Sequence, residues 1–393
     1  MDSSVTIPFN KPFITGNETR YINQAINSGK LSGNGEFTRK CQLFFEEKYG
    51  FGPCFLTHSC TDALEMAAIL MDIREGDEVI MPSYTHVSTA NAFILRGARV
   101  IFVDSRPDHP GMDESMVEEL ISPKTRAIVA VHYAGVACDM DILMELASKH
   151  HLYVIEDAAQ AIDGFYKGRP LGGIGHLAAF SFHETKNIHC GEGGMLVVND
   201  RQFAPRAEII WEKGTNRAAF SRQEVDHYKW LDIGSSFLPS ELTAAFLYAQ
   251  LEQMNSIQSQ RIIIGKKYQE GFDLWVSAQN QPVKDIKPEG NYFQMVFNSI
   301  PKKAKVRPGE VPLYASPNFH MFFLVFEDVL MRNEFISCLN KQAIMAIFHY
   351  LPLHSSPYYG KKHGGRKLPH AEKYGKGLVR LPLYGNLIKD VEK

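Results

Sequence analysis

The residue that first suggests chemistry is Lys186, in the sequence FSFHETKNIHCGEGGM (180–195), between an apolar run and a cluster of glycines. A lysine amine shielded from water has a lowered pKa, so it can bond covalently to an aldehyde and also carry protons. Gly191, Gly193 and Gly194 permit a tight turn that would position this lysine. We therefore interpret Lys186 as a residue that holds a cofactor.

Other polar residues border the apolar runs. Asp157 ends the run LYVIED, the sequence SCTD (59–62) opens a helical pattern, and His86 closes PSYTH after another apolar run. Around pyridoxal phosphate, a carboxylate keeps the pyridine nitrogen protonated, a helix N-terminus with Ser and Thr binds the phosphate, and a flat side chain packs on the ring. If the runs are strands of one sheet, these residues converge at its carboxyl edge.

Each of these features has an ordinary structural explanation when it is taken alone. A lysine beside glycines is usually a solvated loop residue, and an aspartate at the end of a strand is usually a turn residue. The sequence SCTD is usually only an N-cap. The glycines of GGIG (172–175) lack the full pattern of a dinucleotide-binding loop. No single feature is decisive, and the interpretation depends on their combination.

The elements that must position these residues alternate along the chain. Glu36–Tyr49, the stretch 57–70, MVEELI (116–121) and 141–150 have helical spacing of apolar residues. Short apolar runs at 78–82, 98–104, 126–133, 152–157 and 178–183 indicate strands. Strands that alternate with helices, and that are apolar on both faces, predict an α/β domain with a mostly parallel sheet covered by helices.

The second part of the chain is less regular. The stretch from Ser240 to about Tyr268 predicts one long helix that leaves the first domain. Residues 276–316 have no assignment, whereas 320–327, 345–354 and 378–384 indicate strands and loops of a smaller α/β domain. We therefore expect a large cofactor-binding domain at 1–253 and a small C-terminal domain at 254–393.

The composition excludes several classes of function. The chain has 393 residues, of which 45% are hydrophobic and 22% charged, with a net charge of -2. Nucleic-acid and anionic-membrane partners usually need a basic excess, so we expect neither. We see no apolar run long enough to cross a membrane and no signal pattern, and we expect a cytoplasmic protein. The six cysteines contain no C-x-x-C pair, so we expect no metal site or disulfide framework.

The chain resembles the DegT/DnrJ/StrS family of sugar aminotransferases in the order of its motifs. These are the helix start SCTD, then PSYTH, then IEDAAQ, and then SFHETKN with GEGG. The resemblance extends from about residue 7 to 250 and returns at 318–354 and 378–388. It implies the type I aspartate-aminotransferase fold, a large domain followed by a smaller one, and pyridoxal 5'-phosphate as the cofactor.

Several longer stretches resemble one subgroup of the family, which makes dTDP-4-amino-4,6-dideoxygalactose for enterobacterial common antigen. They are 28–41, 75–98, 131–141, 180–187 and 212–217. This resemblance implies transfer of an amino group from glutamate to C4 of a dTDP-4-keto-6-deoxyhexose, for a surface polysaccharide such as common antigen or O-antigen. Other nucleotide keto-sugars, with amination at C3 or C4, remain alternatives. A dehydratase of the family would have histidine in place of Lys186, and a non-catalytic regulator would be expected to lose Lys186 or Asp157.

The resemblance also implies roles for individual residues. Lys186 would bind the cofactor covalently, Asp157 would face its pyridine nitrogen, and Gln160 would lie near its ring hydroxyl. The phosphate would be held by Thr61, the backbone of Asp62, and Ser181. His86 would stack on the ring, and beside a protonated pyridine its pKa should fall so that it stays neutral.

We expect the remaining contacts from the small domain and from a second subunit. His354 chiefly, with Tyr350 and His183, would contact the substrate. Many relatives supply an asparagine from the neighbouring subunit to the phosphate, but the segment GSSFLPSEL (234–242) contains none. Ser235 or Ser236 would take its place, with Ser236 as our choice. A homodimer with its active site at the subunit interface is therefore expected.

Overall fold

The computed structural model describes residues 7–279 and 291–392. The helices, in chain order, are α1 Glu18–Asn27, α2 Glu36–Tyr49, α3 Cys60–Leu70, α4 Val87–Ile94, α5 Met140–His150, α6 Ala204–Trp211, α7 Arg217–Ser221, α8 Glu241–Glu252, α9 Met254–Gln279, α10 Tyr292–Asn298, α11 Val329–Lys341, α12 Pro369–Gly377 and α13 Leu387–Val391. The strands are β1 Cys54–Thr57, β2 Glu78–Pro82, β3 Arg99–Val103, β4 Thr125–Val131, β5 Tyr153–Asp157, β6 Phe165–Tyr166, β7 Arg169–Pro170, β8 Leu177–Ser181, β9 Gly194–Val198, β10 Val306–Pro308, β11 Ala315–Ser316, β12 Phe322–Phe326 and β13 Leu378–Leu381.

A seven-stranded sheet, in the order β1-β9-β8-β5-β4-β2-β3, organises the first part of the chain. β3, β2, β4, β5 and β8 pair in parallel, while β9 runs antiparallel to both β8 and β1. β2, β4, β5 and β8 therefore end at the same edge of the sheet, which brings the segments after them together. This confirms the predicted α/β class with a mostly parallel sheet.

Helices cover both faces of this sheet. Neighbouring residues of β2 show the division, since Val79 and Met81 belong to one apolar cluster and Ile80 to the other. One cluster includes the apolar side of α3, and the other includes residues of α2, α5 and α8. Burial on both faces explains why the strands are apolar throughout instead of alternating.

Two smaller sheets complete the fold. β10, β12 and β13 form an antiparallel sheet that packs with α9, α10 and α11 around a third apolar cluster. β11, β6 and β7 form the other antiparallel sheet. β13 carries Arg380, which pairs with Phe323 of β12 and also forms an isolated bridge with Ile347. This bridge ties the loop at 345–354 to the small sheet.

Two predictions about elements need correction, and most of one unassigned stretch can be described. The expected helix from Ser240 to Tyr268 is two helices, α8 and α9, with a break at Gln253, whose backbone has non-helical angles. The expected helical segment at 116–121 belongs to two short 3-10 turns, Glu114–Met116 and Glu118–Leu120. Of the unassigned stretch 276–316, residues 280–290 lie outside the described part of the chain, and the remainder contains the end of α9 with α10, β10 and β11.

Within residues 7–279 and 291–392, every helix is too short or too polar to cross a lipid bilayer.

Candidate active site

A cavity of about 440 Å³ opens at the carboxyl edge of the central sheet. The segments that follow β2, β4, β5 and β8 contribute to its wall, together with the start of α3 and residues near β12 and β13. The polar and ionisable residues in its lining are Ser59, Cys60, Thr61, Thr85, His86, Ser88, Thr89, His132, Asp157, Gln160, Ser181, His183, Thr185, Lys186, Glu192, His320, His349, Tyr350 and Arg380. Seven of the predicted site residues thus share one cavity with Lys186.

Lys186 lies in the turn between β8 and β9, five residues after the end of β8. Its side chain faces the cavity and is surrounded by protein elsewhere, and burial lowers its pKa to about 8. The positive charge of Arg380 acts in the same direction, whereas Cys60 and Asp157 oppose it. A primary amine with a pKa near 8 has an appreciable neutral fraction close to physiological pH, and the neutral form is a nucleophile and a proton carrier.

Asp157, the last residue of β5, is 5% exposed and faces the same cavity. The hydroxyl of Thr89 donates to Asp157 Oδ2 at 2.7 Å, and the backbone N–H of Ala159 donates to Oδ1 at 3.2 Å. Thr89 is one turn into α4, so this helix fixes the direction of the carboxylate. A carboxylate held in this way can accept a hydrogen bond from a protonated ring nitrogen without changing its own orientation.

The residue before Asp157 points to the opposite side of β5. Glu156 is fully buried and accepts hydrogen bonds from the backbone N–H groups of Gly172, Ile174 and Gly175 at 2.6–2.7 Å, and its Oε2 lies 2.9 Å from His132 Nε2. Burial alone would raise the pKa of Glu156, but these partners outweigh burial and lower that pKa overall. The glycine sequence GGIG therefore holds a carboxylate of this chain and does not form a dinucleotide loop.

The start of α3 forms another wall. Ser59 is the N-cap, and its side chain accepts from the backbone N–H of Asp62 at 3.1 Å. The hydroxyl of Thr61 donates to Ser88 at 2.9 Å, which links α3 to α4. A helix start has free N–H groups and a partial positive charge, so this wall suits a phosphate. The backbone of Asp62, predicted as a phosphate ligand, bonds to Ser59 here, and Asp62 is absent from the cavity lining.

Gly194, the first residue of β9, allows the strand to pass against this helix start. A Cβ atom at Gly194 would lie 2.2 Å from the carbonyl carbon of Ser59 and 2.4 Å from the backbone nitrogen of Cys60. At Gly191 the requirement is different, because its φ is +81° and no atom lies within 4 Å of the Cβ position. The two glycines are therefore needed for different reasons. Gly191 allows the backbone to turn with a positive φ, and Gly194 allows β9 to lie close to the start of α3.

Gln160 and Tyr350 are linked at one side of the cavity. The Gln160 side-chain oxygen accepts from the backbone N–H of Ala134 at 2.7 Å, and its Nε2 donates to the Tyr350 hydroxyl at 3.2 Å. Tyr350 has a φ of +47°, a backbone conformation that is uncommon for a residue with a side chain. The loop from 345 to 354 thus presents Tyr350 to the large sheet, and its role as a substrate contact stays a prediction.

His86 is the N-cap of α4, and its Nδ1 accepts from the backbone N–H of Ser88 at 3.3 Å. This bond requires Nδ1 to be unprotonated, so the ring is neutral with its proton on Nε2. Burial and then the charge of Lys186 lower the pKa of His86. The lowered pKa of His86 agrees with our expectation. Its causes here are burial and Lys186, however, and not a protonated cofactor ring. The ring lies 5.9 Å from that of Tyr350.

His183 and Ser181 follow the end of β8 and also line the cavity. The ring of His183 bonds to the Thr185 hydroxyl at 2.9 Å through Nδ1, and its Nε2 lies 3.6 Å from Glu192 at the exposed rim. Ser181 Oγ accepts a long bond of 3.4 Å from the backbone of His183. Both residues are therefore placed where a ligand in the cavity would meet them.

Besides Asp62, two predicted residues do not line this cavity. His354 is buried, with its Nδ1 2.7 Å from Ser83 Oγ and its Nε2 3.7 Å from Glu372, and it does not face the Lys186 cavity. His354 is therefore not brought into the Lys186 cavity, and its role as the chief substrate contact stays a prediction. Ser236 lines a second cavity of about 510 Å³, bordered by Lys30, Arg39, His58, Lys213, Arg217 and Arg222.

The structure adds four residues that sequence reasoning missed or left aside: Thr89, His320, His349 and Arg380. Thr89 follows His86 by three positions, so helical spacing could have placed both on one face. Arg380 is a cation within the apolar run LVRLPLY, which is an identifiable signal. His320 and His349 join the site only through tertiary packing.

The lining fits one kind of cofactor. A single cavity is lined by an amine, a fixed carboxylate and a helix N-terminus. The amine suits an aldehyde, the carboxylate suits a protonated ring nitrogen, and the helix N-terminus suits a phosphate. Glycine at position 194 lets β9 pass directly against the start of α3, because a Cβ atom there would overlap the backbone of Ser59 and Cys60. Pyridoxal 5'-phosphate has these three groups, and Lys186, Asp157 and the start of α3 would hold them.

The comparisons with known proteins agree with this geometry. The model of the DegT/DnrJ/EryC1/StrS aminotransferase family matches residues 12–392. The spore coat polysaccharide biosynthesis protein SpsC of Bacillus subtilis (strain 168) is 30% identical over 393 residues, covering 98% of this chain and 94% of SpsC. GDP-perosamine synthase of Escherichia coli O157:H7 is 31% identical over 385 residues, covering 97% of this chain and 94% of the synthase. The crystal structure of S. venezuelae DesV in complex with a ketimine intermediate superposes with a TM-score of 0.81 at 28% identity, covering 97% of this chain and 94% of DesV.

Proposed function

This chain belongs to the DegT/DnrJ/EryC1/StrS aminotransferase family, and from that premise we propose that it aminates C4 of a dTDP-4-keto-6-deoxyhexose with glutamate. The products would be dTDP-4-amino-4,6-dideoxygalactose and 2-oxoglutarate. Family membership makes the chain a sugar aminotransferase that depends on pyridoxal phosphate, as the sequence resemblance predicted. The proposal concerns the two substrates and the roles of individual residues.

The observation that best supports amino transfer is the pairing of Lys186 with Asp157 in one cavity. Pyridoxal phosphate, when bound, supplies an aldehyde for the amino group and a protonated ring that accepts electron density. Lys186 provides the amine at that aldehyde, and the Asp157 carboxylate holds the proton of the ring nitrogen. Thr89 and Ala159 keep that carboxylate in a fixed direction, which removes the cost of orienting it during the reaction.

Lys186 also serves as the proton carrier. Its Nζ, when neutral, can take a proton from the carbon that loses it and return the proton to the carbon that gains it. A pKa of about 8 is close to the operating pH, which favours transfer in both directions. The histidine rings of His320 and His349 have strongly lowered pKa values because of burial. They are therefore neutral hydrogen-bonding groups beside Lys186 and do not compete for its proton.

The choice of sugar is supported by the sequence resemblance to the dTDP-4-amino-4,6-dideoxygalactose subgroup. A second candidate is a GDP-linked sugar, because GDP-perosamine synthase is 31% identical to this chain over nearly its whole length. In either case the nucleotide sugar enters the same cavity, and the face from which Lys186 delivers the proton to C4 determines the configuration of the product.

An assay with glutamate and a panel of 4-keto and 3-keto sugar nucleotides would test the proposal. We expect the dTDP-4-keto-6-deoxyhexose to give the highest kcat/KM, and NMR of the product to show a galacto-configured amine at C4. Faster turnover of a GDP-linked sugar would support the second candidate instead. A control with Lys186→Ala should show no turnover with any sugar.

We also propose that the enzyme is a homodimer and that Ser236 acts in the active site of the partner. The segment at 217–238 supports this, since it exposes the apolar residues Phe220, Tyr228, Trp230, Leu231 and Ile233, with Trp230 82% exposed. Such a run of exposed apolar side chains is typical of a protein interface. Ser236 is an exposed residue of this segment and lines the second cavity, not the Lys186 cavity of its own chain.

A further inference from the structure

We propose that Asn187 fixes the tautomer of His320, and that His320 then accepts a hydrogen bond from the sugar hydroxyl next to the carbon that is aminated. Asn187 is thus a positioning residue, which acts through His320. The inference rests on the proposed function, in that it requires a keto-sugar as the acceptor of the amino group. It does not depend on the nucleotide that the sugar carries.

The side-chain amide of Asn187 has a single orientation, because its NH2 group faces a backbone carbonyl. Asn187 is 3% exposed, and its Nδ2 donates to the carbonyl oxygen of Asn318 at 3.2 Å and to Gln258 Oε1 at 2.9 Å. A carbonyl oxygen can only accept a hydrogen bond, so Nδ2 must lie on that side. The other amide atom, Oδ1, therefore faces Nδ1 of His320, at 2.9 Å.

This bond determines which ring nitrogen of His320 carries the proton. Asn187 Oδ1 accepts, so the hydrogen is on His320 Nδ1, and Nε2 of the neutral ring is an acceptor. Burial and then the charge of Lys186 hold the pKa of His320 well below its usual range, which keeps the ring neutral. His320 lines the Lys186 cavity, and its Nε2 has no hydrogen-bond partner among the residues that the structure describes. The cavity therefore contains an acceptor without a donor.

The backbone around His320 is held as firmly as its ring. Its N–H donates to Asn318 Oδ1 at 2.9 Å, and its carbonyl oxygen accepts from Arg261 Nη2 at 2.7 Å. Asn318 in turn donates through Nδ2 to the carbonyl oxygen of Gln160 at 2.8 Å. Phe319 has a φ of +48°, which persists only where the surrounding structure enforces it. The direction of Nε2 is therefore set before a ligand enters the cavity.

An acceptor beside Lys186 suits the keto-sugar better than the amino acid. In the amino acid, the carbon that carries the transferred amino group bears a carboxylate, which only accepts hydrogen bonds. In the keto-sugar, a carbon next to the ketone bears a hydroxyl, which can donate one. For a 4-keto-6-deoxyhexose this is the hydroxyl on C3. His320 therefore recognises the sugar and disfavours a carboxylate at the same position.

Turnover of sugar analogues altered at C3 tests the inference. A 3-deoxy analogue lacks the hydroxyl, and a 3-fluoro analogue has an atom that only accepts. In the wild type we expect kcat/KM to fall about tenfold for the 3-deoxy sugar, the scale of a buried acceptor left without its donor, and further for the 3-fluoro sugar. His320→Asn keeps an amide that can bond to Asn187 but has no atom at Nε2, so its kcat/KM for the natural and 3-deoxy sugars should agree within about twofold.

His109→Asn is the matched control. His109 is buried, its Nδ1 accepts from the backbone N–H of Gly111 at 2.9 Å, and it does not line the Lys186 cavity. This variant should keep the wild-type preference for the hydroxyl. The same preference in His320→Asn would overturn the inference, since His320 would then act through Lys186 or through packing alone. So would a 3-fluoro sugar that is used as well as the natural sugar, because Nε2 would then be a donor.

Nitrogen NMR of the cofactor-loaded protein, labelled at histidine, keeps the inference testable if His320→Asn folds poorly. The signals that change in Asn187→Leu identify the ring of His320. In the wild type we expect Nδ1 to be protonated and Nε2 unprotonated at neutral pH, and a proton on Nε2 would contradict the assignment. Asn187→Leu should show both tautomers and a weaker preference for the C3 hydroxyl, whereas a merely structural Asn187 would change neither. Because the NMR measurement needs no sugar, failure of the sugar assignment and failure of this inference remain distinguishable.

Discussion

At the scale of single residues, the most consequential property is the lowered pKa of Lys186. Only the neutral amine attacks an aldehyde, so the rate of cofactor uptake by cofactor-free protein should rise with pH. We expect its midpoint near the pKa of about 8 that burial gives this lysine, well below that of an exposed lysine. Stopped-flow measurements of cofactor uptake between pH 6 and 10.5 would provide the profile.

Borohydride reduction and peptide mapping provide the control for that measurement. The cofactor should be fixed on the peptide that contains Lys186, and Lys186→Ala should lack the absorbance of lysine-bound cofactor. Labelling of another lysine, or a midpoint near pH 10, would contradict the assignment.

Thr89 should matter for cofactor affinity although it makes no covalent contribution. Thr89→Val keeps the shape of the side chain but removes the hydroxyl that donates to Asp157 at 2.7 Å. Loss of a hydrogen bond to a charged group costs about 1.5–3 kcal/mol, so cofactor affinity should fall by roughly tenfold or more. Thr89→Ser retains the donor and should bind nearly as the wild type does. Equal affinity of the Val and Ser variants would show that Asp157 does not need this bond.

His86 has two separable functions, because it is the N-cap of α4 and is proposed to stack on the cofactor. His86→Phe keeps a flat ring but loses the cap, whereas His86→Asn keeps a cap but loses the ring. We expect the Asn variant to lose about 1 kcal/mol of cofactor binding, the scale of an aromatic contact. We expect the Phe variant to lose about 0.5–1 kcal/mol of unfolding free energy.

His86→Ala should lose both cofactor binding free energy and unfolding free energy, since it has neither the ring nor the cap. Cofactor dissociation constants and chemical denaturation of the three variants measure the two effects separately. If the Phe and Ala variants bound the cofactor equally weakly, the stacking role would be wrong.

At the scale of elements, the packing of β9 against α3 depends on Gly194. In Gly194→Ala the new methyl group would overlap the backbone of Ser59 and Cys60, so the strand or the helix start must move. We expect a loss of about 1–3 kcal/mol in unfolding free energy, as for other overpacked sites, together with weaker cofactor binding. Denaturation curves and cofactor titrations of the purified variant would measure both.

Gly191→Ala is the matched control in the same turn. It has open space around the Cβ position but a φ of +81°, so it should cost about 1 kcal/mol and leave cofactor affinity nearly unchanged. A larger loss of cofactor affinity at Gly191 than at Gly194 would show that the turn, not the close approach, shapes the cofactor site.

The elements of the large sheet were predictable where the sequence pattern is strong. β2, β3, β4, β5 and β8 coincide with the apolar runs identified from the sequence, and α2, α3 and α5 with the helical patterns. β1 was missed because it has only four residues and follows a proline, and β9 because it begins within a glycine cluster. The break at Gln253 was missed because apolar periodicity continues through it, and only the backbone angles distinguish two helices from one.

The candidate site was predictable only for residues whose position follows from a strand end or a helix start. Lys186, Asp157, Thr61 and His86 are of this kind, and all four line the cavity. Arg380 lies in a different sheet, far along the chain, and comes to Lys186 through packing that no local pattern encodes. His354 shows the opposite case, because it follows Tyr350 closely in the sequence but bonds to Ser83 and does not line the cavity.

At the scale of the whole molecule, the division into two domains at residues 253 and 254 remains a proposal. The Lys186 cavity draws residues from both sides of that boundary, since His320, His349, Tyr350 and Arg380 follow it and the other lining residues precede it. The shape of this cavity therefore depends on how the two parts pack together.

The proposed dimer makes a prediction that a monomeric enzyme cannot satisfy. Lys186→Ala removes a residue of one subunit's own cavity, whereas Ser236→Asp places a negative charge where we propose that the partner's cofactor phosphate binds. Each homodimer should be inactive, or nearly so. In a mixed dimer, one site contains both changes and the other contains neither. After unfolding and refolding an equal mixture, a two-fold symmetric dimer should therefore recover about a quarter of the wild-type activity.

The alternative arrangement gives a different result in the same experiment. If Ser236 acted in the site of its own chain, each site of the mixed dimer would contain one damaged residue, and mixing would restore nothing. Sedimentation of the wild type, and of Trp230→Asp, supplies the control for assembly. Trp230 is 82% exposed in the single chain, so a charge there should weaken a dimer without disturbing the fold of the subunit. Recovery of activity on mixing, lost again when both chains also contain Trp230→Asp, would require the shared site that we propose.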